Sequence, residues 1–172
     1  MAKVTLVTGG ARSGKSRFAE SLAVQQGEPL LYIATAGFGD GEMKERITRH
    51  QERRGSTWQT IEEQYNLAAV LTGHDGWFKA ILVDCVTLWL TNLLLKYEDK
   101  NAVLDEVRRT VSTLPSLKTP LFMVSNEVGM GIIPDNSLGR TFCDLSGEAN
   151  EILAGAADEV YVTFSGLPLK LK

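Results

Sequence analysis

Residues 9–16 decide the fold: they read Gly9-Gly10-Ala11-Arg12-Ser13-Gly14-Lys15-Ser16 and match the pattern G-x-x-x-x-G-K-[ST] at every fixed position. An apolar run precedes this stretch and a helix-forming run follows it, which is the context that a phosphate-binding P-loop requires. The glycines allow backbone N–H groups to converge on phosphate oxygens, and the start of the following helix adds partial positive charge. We therefore predict a nucleotide-phosphate site in which Lys15 contacts the β- and γ-phosphates and the Ser16 hydroxyl holds Mg²⁺.

Outward from this loop, short runs rich in Val, Ile and Leu alternate with longer segments of helical period, a pattern typical of a parallel sheet covered by helices. We predict strands at residues 4–8, 30–34, 80–84, 121–125 and 159–164, and helices at residues 15–26, 41–54, 67–71, 86–96, 102–114 and 137–156. Weaker edge strands are predicted at residues 58–61 and in the tail 167–172. The predicted fold class is α/β and P-loop NTPase-like, with a mostly parallel sheet flanked by helices on both faces.

Length and composition indicate one domain spanning residues 1–172, because 44% hydrophobic residues are enough to close a core. A formal net charge of −3 argues against the large basic surface that gives nucleic-acid binders most of their affinity. Cys85 and Cys143 are too few for a disulfide framework or a four-cysteine metal site, and a reducing compartment fits best. Neither a secretion signal nor a membrane span is visible, so we expect a cytoplasmic protein.

A carboxylate follows the buried run Ile81-Leu82-Val83, in the form of Asp84. An acidic residue at the end of a strand next to the P-loop strand can hold the magnesium shell, as the Walker B element does. Asp84 is therefore a predicted metal-side residue together with Ser16. A plain helix cap for the segment that begins at Val86 is the alternative interpretation.

A basic segment reads Arg46-Ile47-Thr48-Arg49-His50-Gln51-Glu52-Arg53-Arg54 and lies in a predicted helix. Arg46, His50 and Arg53 are three or four residues apart and share one helical face. Cationic neighbours disfavour the imidazolium form, so His50 would stay neutral and nucleophilic near pH 7. The alternative is a solvated helix surface on which His50 has no chemical role.

Several stretches resemble one family: Thr8 with residues 9–16, Tyr32-Ile33-Ala34-Thr35, Arg46-Ile47 with His50 and Arg53, Asp84-Cys85 with Leu88 and Thr91-Asn92-Leu93-Leu94, Ser125-Asn126-Glu127-Val128-Gly129-Met130-Gly131-Ile132-Ile133-Pro134, and Ala157-Asp158-Glu159-Val160 with Gly166 and Lys170. That family is the bifunctional adenosylcobinamide kinase/adenosylcobinamide-phosphate guanylyltransferase of cobalamin biosynthesis. The resemblance spans almost the whole chain. A P-loop alone is common, whereas the run that begins at Asn126 is specific to the family.

The resemblance implies two reactions: phosphorylation of the aminopropanol hydroxyl of adenosylcobinamide by ATP or GTP, then transfer of GMP from GTP to that phosphate. The products of the second step are adenosylcobinamide-GDP and pyrophosphate. The resemblance also implies a homotrimer and His50 as the carrier of GMP in a covalent intermediate. Lys15, which the P-loop pattern places at the phosphates, is the second predicted catalytic residue. The resemblance implies the following GTP-binding residues: residues 9–16, Ala34, Thr35, Ala36, Gln51, Glu52, Arg53, Arg54, Glu62 and Asp84.

At two positions the sequence leaves open whether the role implied by the resemblance applies. Asp84 stands where some members of the family carry Glu, which shortens the side chain by one methylene group. Glu127 is a candidate for a substrate or metal contact, and a role in fixing its loop is equally compatible with the sequence.

Two other function classes share the P-loop. A small-molecule kinase with a single activity would use the same loop and Asp84 but would give His50 no covalent role. A recombinase-like, nucleic-acid-dependent ATPase would share the parallel sheet. The acidic net charge and the lack of a basic stripe outside residues 46–54 weigh against the second class.

Overall fold

The computed structural model describes residues 2–36 and 57–172, and within them a seven-stranded sheet forms the centre of the molecule. The strands follow one another as β1 (Val4–Gly9), β2 (Leu30–Ala34), β3 (Trp58–Glu62), β4 (Ala80–Asp84), β5 (Leu121–Val124), β6 (Glu159–Phe164) and β7 (Leu167–Lys170). Their order across the sheet is β3-β2-β4-β5-β1-β6-β7. The first six strands run parallel, and β7 pairs with β6 in the antiparallel direction.

Burial follows the position of each strand in this order. The inner strands β1, β2 and β5 are buried along their whole length, as expected for parallel strands that are covered on both faces. The two edge strands differ: β3 has three half-buried and two exposed residues, and every residue of β7 is exposed. Both weaker strand predictions, at residues 58–61 and in the tail, are therefore confirmed as edge strands.

Five α-helices connect the strands in the described part of the chain: α1 (Lys15–Val24), α2 (Leu67–Gly73), α3 (Val86–Tyr97), α4 (Lys100–Thr113) and α5 (Ser137–Ala156). A 3₁₀ turn at Leu114–Ser116 follows α4. Side chains that precede α2, α4 and α5 accept hydrogen bonds from backbone N–H groups of the first turn, which explains where these helices begin. The caps are Asn66, Asp99 and Asn136.

The helices cover both faces of the sheet. On one face, α3, α4 and α5 pack over strand residues such as Leu31 and Ile81, and Trp89 is one of the largest fully buried side chains there. On the other face, α1 packs through Ala19 and Ala23 against the neighbouring residues of the same strands. Successive strand residues point to opposite faces, so the four apolar residues of β4 that precede Asp84 contribute to both cores. The predicted α/β class with helices on both faces is confirmed.

The main differences from the predicted elements lie at helix ends. Helix α1 ends at Val24 and not at residue 26, and α4 begins at Lys100 and not at residue 102, because Asp99 caps its first turn. The predicted helix 41–54 lies outside the described residues. No helix in residues 2–36 and 57–172 is long and apolar enough to cross a membrane.

Candidate nucleotide site at the carboxyl edge of the sheet

The loop of residues 10–14 joins the end of β1 to the start of α1 and has the backbone conformation of a phosphate cradle. Arg12 and Gly14 have φ angles of 56° and 93°, both in the left-handed region, and Gly14 is the N-cap of α1. The first N–H groups of a helix have no partner within the helix, and they carry partial positive charge. The site that the sequence predicts for phosphate oxygens is therefore formed by the backbone.

Lys15 is the first residue of α1 and is buried, with 8% of its surface exposed. Its Nζ donates a hydrogen bond to the Gly10 carbonyl oxygen at 3.0 Å, so the ammonium group lies over the loop. Burial lowers the pKa of this ammonium from its usual 10.5, while the nearby Cys85 and Asp84 act in the opposite direction. The side chain thus holds a cation at the loop, next to a carboxylate.

Strand β6 and the turn after it support the loop from the side. The hydroxyl groups of Ser13 and Thr163 are 2.7 Å apart in a buried hydrogen bond. The Gly166 N–H donates to the Ser13 carbonyl oxygen at 2.9 Å. A Cβ atom on Gly14 would lie 3.2 Å from the Gly166 Cα, so the two backbones are in close contact. From the β6 side, the loop is therefore held by backbone and hydroxyl groups.

Asp84 ends β4 at the same edge of the sheet. In the strand register, Ala34 is opposite Asp84 on one side and opposite Glu62 on the other, so the three predicted nucleotide-binding residues form one row. The alternative interpretation, that Asp84 caps the following helix, is wrong, because the N-cap of α3 is Cys85.

The segment after β2 is fixed to the segment after β4. The Thr35 hydroxyl donates to the Cys85 carbonyl oxygen at 2.7 Å and accepts from the Cys85 N–H at 2.8 Å. Asn92, on α3, donates from Nδ2 to the Thr35 carbonyl oxygen at 2.7 Å. The predicted residues Thr35 and Ala36 are buried and are therefore held beside Asp84.

Of the predicted site residues, the structure brings residues 9–16, Ala34–Ala36, Glu62 and Asp84 to one edge of the sheet. His50 and the predicted Gln51, Glu52, Arg53 and Arg54 lie outside the described residues.

Both cysteines are free, and Cys85 is buried next to Asp84. Burial, with the Asp84 charge as a second cause, raises the pKa of the Cys85 thiol to about 12. The thiol is therefore protonated and is a poor nucleophile near neutral pH. In the described ranges no three His, Cys, Asp or Glu side chains are grouped to hold a metal ion.

A polar network near the P-loop joins residues that no sequence pattern connects. Asn150, in the middle of α5, is 8% exposed and contacts the segment that follows β5. Its Nδ2 donates to the Asn126 carbonyl oxygen and to Glu127 Oε1, both at 3.2 Å. A lone Asn on the apolar face of a long helix was the available signal, because buried amides need hydrogen-bond partners.

The model of one protein family, described as cobinamide kinase / cobinamide phosphate guanyltransferase, matches residues 5–171. A bifunctional adenosylcobalamin biosynthesis protein, CobP from Pseudomonas aeruginosa, is 44% identical over 167 residues, which cover 97% of this chain and 96% of that protein. The bifunctional adenosylcobalamin biosynthesis protein CobU from Salmonella typhimurium is 40% identical over 179 aligned positions, covering 97% and 98% of the two chains.

Two solved structures share the fold at low sequence identity. The P4 protein from bacteriophage phi6, in complex with ADP, has a TM-score of 0.52 and 16% identity, and the match covers 98% of this chain and 54% of that one. The RadB recombinase has a TM-score of 0.53 and 15% identity, covering 93% and 73% of the two chains. These matches establish a P-loop NTPase-like fold.

Proposed function

The chain belongs to the cobinamide kinase / cobinamide phosphate guanyltransferase family, and from this premise we propose that the P-loop edge of its sheet is the nucleotide site for both reactions. The chain is a bifunctional kinase and guanylyltransferase of cobalamin biosynthesis, as the family and its relatives over nearly the full length indicate. This outcome favours the bifunctional enzyme over a kinase with one activity and over a nucleic-acid-dependent ATPase.

The observation that carries the site assignment is the buried Lys15 ammonium, which donates to the Gly10 carbonyl oxygen and is close enough to Asp84 for that charge to affect its pKa. A triphosphate bound to the loop would bring several negative charges to this cation, and charge-assisted hydrogen bonds are the strong ones in proteins. The N–H groups at the start of α1, which have no partner within the helix, would bind the same phosphates. Phosphoryl and nucleotidyl transfer both need such neutralisation of charge as the leaving group departs.

We propose that Mg²⁺ accompanies the nucleotide, with the Ser16 hydroxyl and the Asp84 carboxylate on the protein side. These are oxygen donors, which Mg²⁺ prefers, and Mg²⁺ in nucleotide sites is commonly held by one or two carboxylates together with phosphates and water. A cluster of three acidic side chains is therefore not required. When bound, the ion would neutralise charge on the phosphates.

For the first reaction, ATP or GTP is the proposed donor and the hydroxyl of adenosylcobinamide the acceptor. For the second, we propose that a nitrogen of His50 attacks the α-phosphorus of GTP and pyrophosphate leaves, which gives a guanylyl-histidine. The phosphate of adenosylcobinamide phosphate then attacks the same phosphorus, so that adenosylcobinamide-GDP forms and His50 is released. Two displacements with a positioned nucleophile replace one difficult step.

The remaining residues in the proposed nucleotide contacts are Ala34, Thr35 and Ala36 after β2, Glu62 at the end of β3, and Gln51–Arg54. For Ala34 and Glu62 the support is their position in one row with Asp84. For Thr35 it is the pair of hydrogen bonds with the Cys85 backbone, and Ala36 is the buried residue that follows Thr35. For Gln51–Arg54 the support is the family resemblance of the sequence. We also propose a cytoplasmic location, where both nucleoside triphosphates are available.

Replacing Lys15 tests the site. We expect Lys15→Ala to weaken GTP binding by about 1.5–3 kcal/mol, roughly 10- to 100-fold, because a charge-assisted hydrogen bond to phosphate is lost. Both activities should fall with it. Isothermal titration calorimetry with GTP and Mg²⁺ gives the affinity, and Lys79→Ala, an exposed lysine before β4, is the matched control. Wild-type GTP affinity in Lys15→Ala would refute the assignment of this site.

A further inference from the structure

Strand β5 lies between the P-loop strand β1 and the Asp84 strand β4. Val124, the last residue of β5, is opposite Val7 of β1 and opposite Asp84 of β4 in the register. The residues that leave β5 therefore emerge between the P-loop and Asp84. In the nucleotide site proposed above, this is the position that faces the terminal phosphate, since Lys15 and the metal-side carboxylate flank it.

Backbone hydrogen bonds on both sides fix the segment after β5. The Asn126 N–H donates to the Thr87 hydroxyl at the start of α3 at 2.8 Å. The Glu127 N–H donates to the Gly9 carbonyl oxygen at 3.1 Å, directly at the start of the P-loop. The backbone of Glu127 is thus hydrogen-bonded to the start of the proposed phosphate loop.

The Glu127 side chain is held from the opposite direction. Asn150 Oδ1 accepts the hydrogen bond of the buried Ser125 hydroxyl at 2.6 Å, which fixes the orientation of the amide. The Asn150 Nδ2 group then donates to Glu127 Oε1 at 3.2 Å. Among the described residues, the second oxygen, Oε2, has no hydrogen-bond partner, and the side chain is half-buried at the sheet edge.

A carboxylate is a costly group for a purely structural role here. Taking a charge partly out of water is unfavourable, and one neutral amide donor compensates it only in part. A Gln side chain would accept the same hydrogen bond from Asn150 without that cost. An oriented carboxylate with one oxygen engaged and one available is, in contrast, what a general base requires.

We propose that Glu127 is the general base of the phosphorylation step, and that Asn150 is its positioning residue. The acceptor hydroxyl gives its proton to Glu127 Oε2 while its oxygen forms a bond to the γ-phosphorus. The bond from the γ-phosphorus to the bridging oxygen breaks, and the nucleoside diphosphate leaves with that electron pair. Glu127 afterwards releases the proton to solvent. The guanylyl transfer does not need this base, because its acceptor is already an ionised phosphate.

This assignment rests on the proposed nucleotide site and is tested with Glu127→Gln in the full-length enzyme. The change keeps the shape of the side chain and removes its ability to take a proton. We expect kcat for phosphorylation of adenosylcobinamide to fall about 100- to 10,000-fold, the range for loss of a general base. GTP affinity and the rate of guanylyl transfer to adenosylcobinamide phosphate should remain within threefold of wild type.

Glu151→Gln, an exposed carboxylate on α5 next to Asn150, is the matched control and should leave both reactions unchanged. A phosphorylation kcat of Glu127→Gln within threefold of wild type overturns the proposal. So does a tenfold loss of GTP affinity or of guanylyl transfer, because Glu127 would then act in nucleotide binding, metal binding or loop structure. A wrong assignment of the nucleotide site would give a different result, namely unchanged GTP affinity in Lys15→Ala.

Discussion

Gly9 is a residue where the local packing leaves no room for a side chain. A Cβ atom there would lie 2.5 Å from Thr163 Oγ1 and 2.7 Å from the Thr163 carbonyl oxygen, which is backbone and cannot rotate away. At Gly10 a Cβ atom would have no neighbour within 4 Å. The two adjacent glycines of the loop therefore differ in their tolerance of alanine.

We expect Gly9→Ala to lower the free energy of unfolding by about 1–3 kcal/mol, since β1 or β6 must shift to accept the methyl group. Urea unfolding of the nucleotide-free protein, followed by circular dichroism, measures the change. Gly10→Ala is the control and should unfold within about 0.5 kcal/mol of wild type. An equal loss of unfolding free energy in both variants would mean that the close contact with Thr163 is not the reason why alanine is unfavourable at residue 9.

For individual residues, the sequence predicts a role where that role follows from a local sequence pattern. The P-loop places Lys15 and Ser16 by spacing alone, and the end of an apolar run places Asp84. The Asn150–Glu127 hydrogen bond has no such pattern. Its partners are 23 residues apart, on a helix and a loop, and they meet only because α5 packs back over the end of β5.

Helix α5 ends against the last residue of the chain. The Lys172 ammonium donates to the carbonyl oxygens of Ala154, Gly155 and Ala157 at 3.2, 3.1 and 2.6 Å. These oxygens lie in or directly after the last turn of the helix, where carbonyl groups have no partner within the helix. A cation at this end also interacts favourably with the helix dipole. The tail thus connects the helix to the outer part of the sheet.

We expect Lys172→Ala to lower the free energy of unfolding by about 0.5–1 kcal/mol, because the helix end loses its only charged donor among the described residues. Thermal unfolding at low and high salt measures it, and the difference from wild type should shrink at high salt. Lys79→Ala serves again as the control lysine. A difference that does not depend on salt would point to lost packing of the side chain and not to its charge.

Strands and helices could be predicted where their burial requires a regular pattern of apolar residues in the sequence. The strands that are buried on both faces appear as continuous apolar runs, and β2 and β4 have the predicted bounds. Ends were less predictable when a side chain from outside the helix sets them, as Asp99 does for α4. The edge strands were weak in the sequence because exposure on one or both faces removes the apolar signal.

Across the whole molecule, the sequence predicts a parallel sheet but not the order of its strands. That order places β1 between β5 and β6, strands that follow it by more than 100 residues. It depends on long-range packing of crossover helices, which local periodicity does not encode. Yet this order brings Glu127 between the P-loop and Asp84, and so the position of the proposed base could not be deduced from spacing.

We expect the enzyme to assemble as a homotrimer, as its resemblance to the family implies. The outer strand β7 exposes apolar side chains, with Leu167 and Leu169 at 73% and 55%, and burying them would favour association. Mass photometry should detect a particle of three 18.9-kDa chains at nanomolar concentration. A single-chain mass at every concentration tested would contradict the trimer.

The central claim is that one P-loop site serves both reactions and that GMP is transferred from GTP to His50. Labelling with GTP that carries ³²P at the α-phosphate tests this claim most directly. With Mg²⁺ at neutral pH, the denatured enzyme should retain the label on the peptide that contains His50, through an acid-labile and base-stable bond typical of a phosphoramidate. His50→Ala should retain no label and form no adenosylcobinamide-GDP, while it still phosphorylates adenosylcobinamide, because that step needs no covalent histidine. An unlabelled wild-type enzyme, or a label that persists in His50→Ala, would contradict the account.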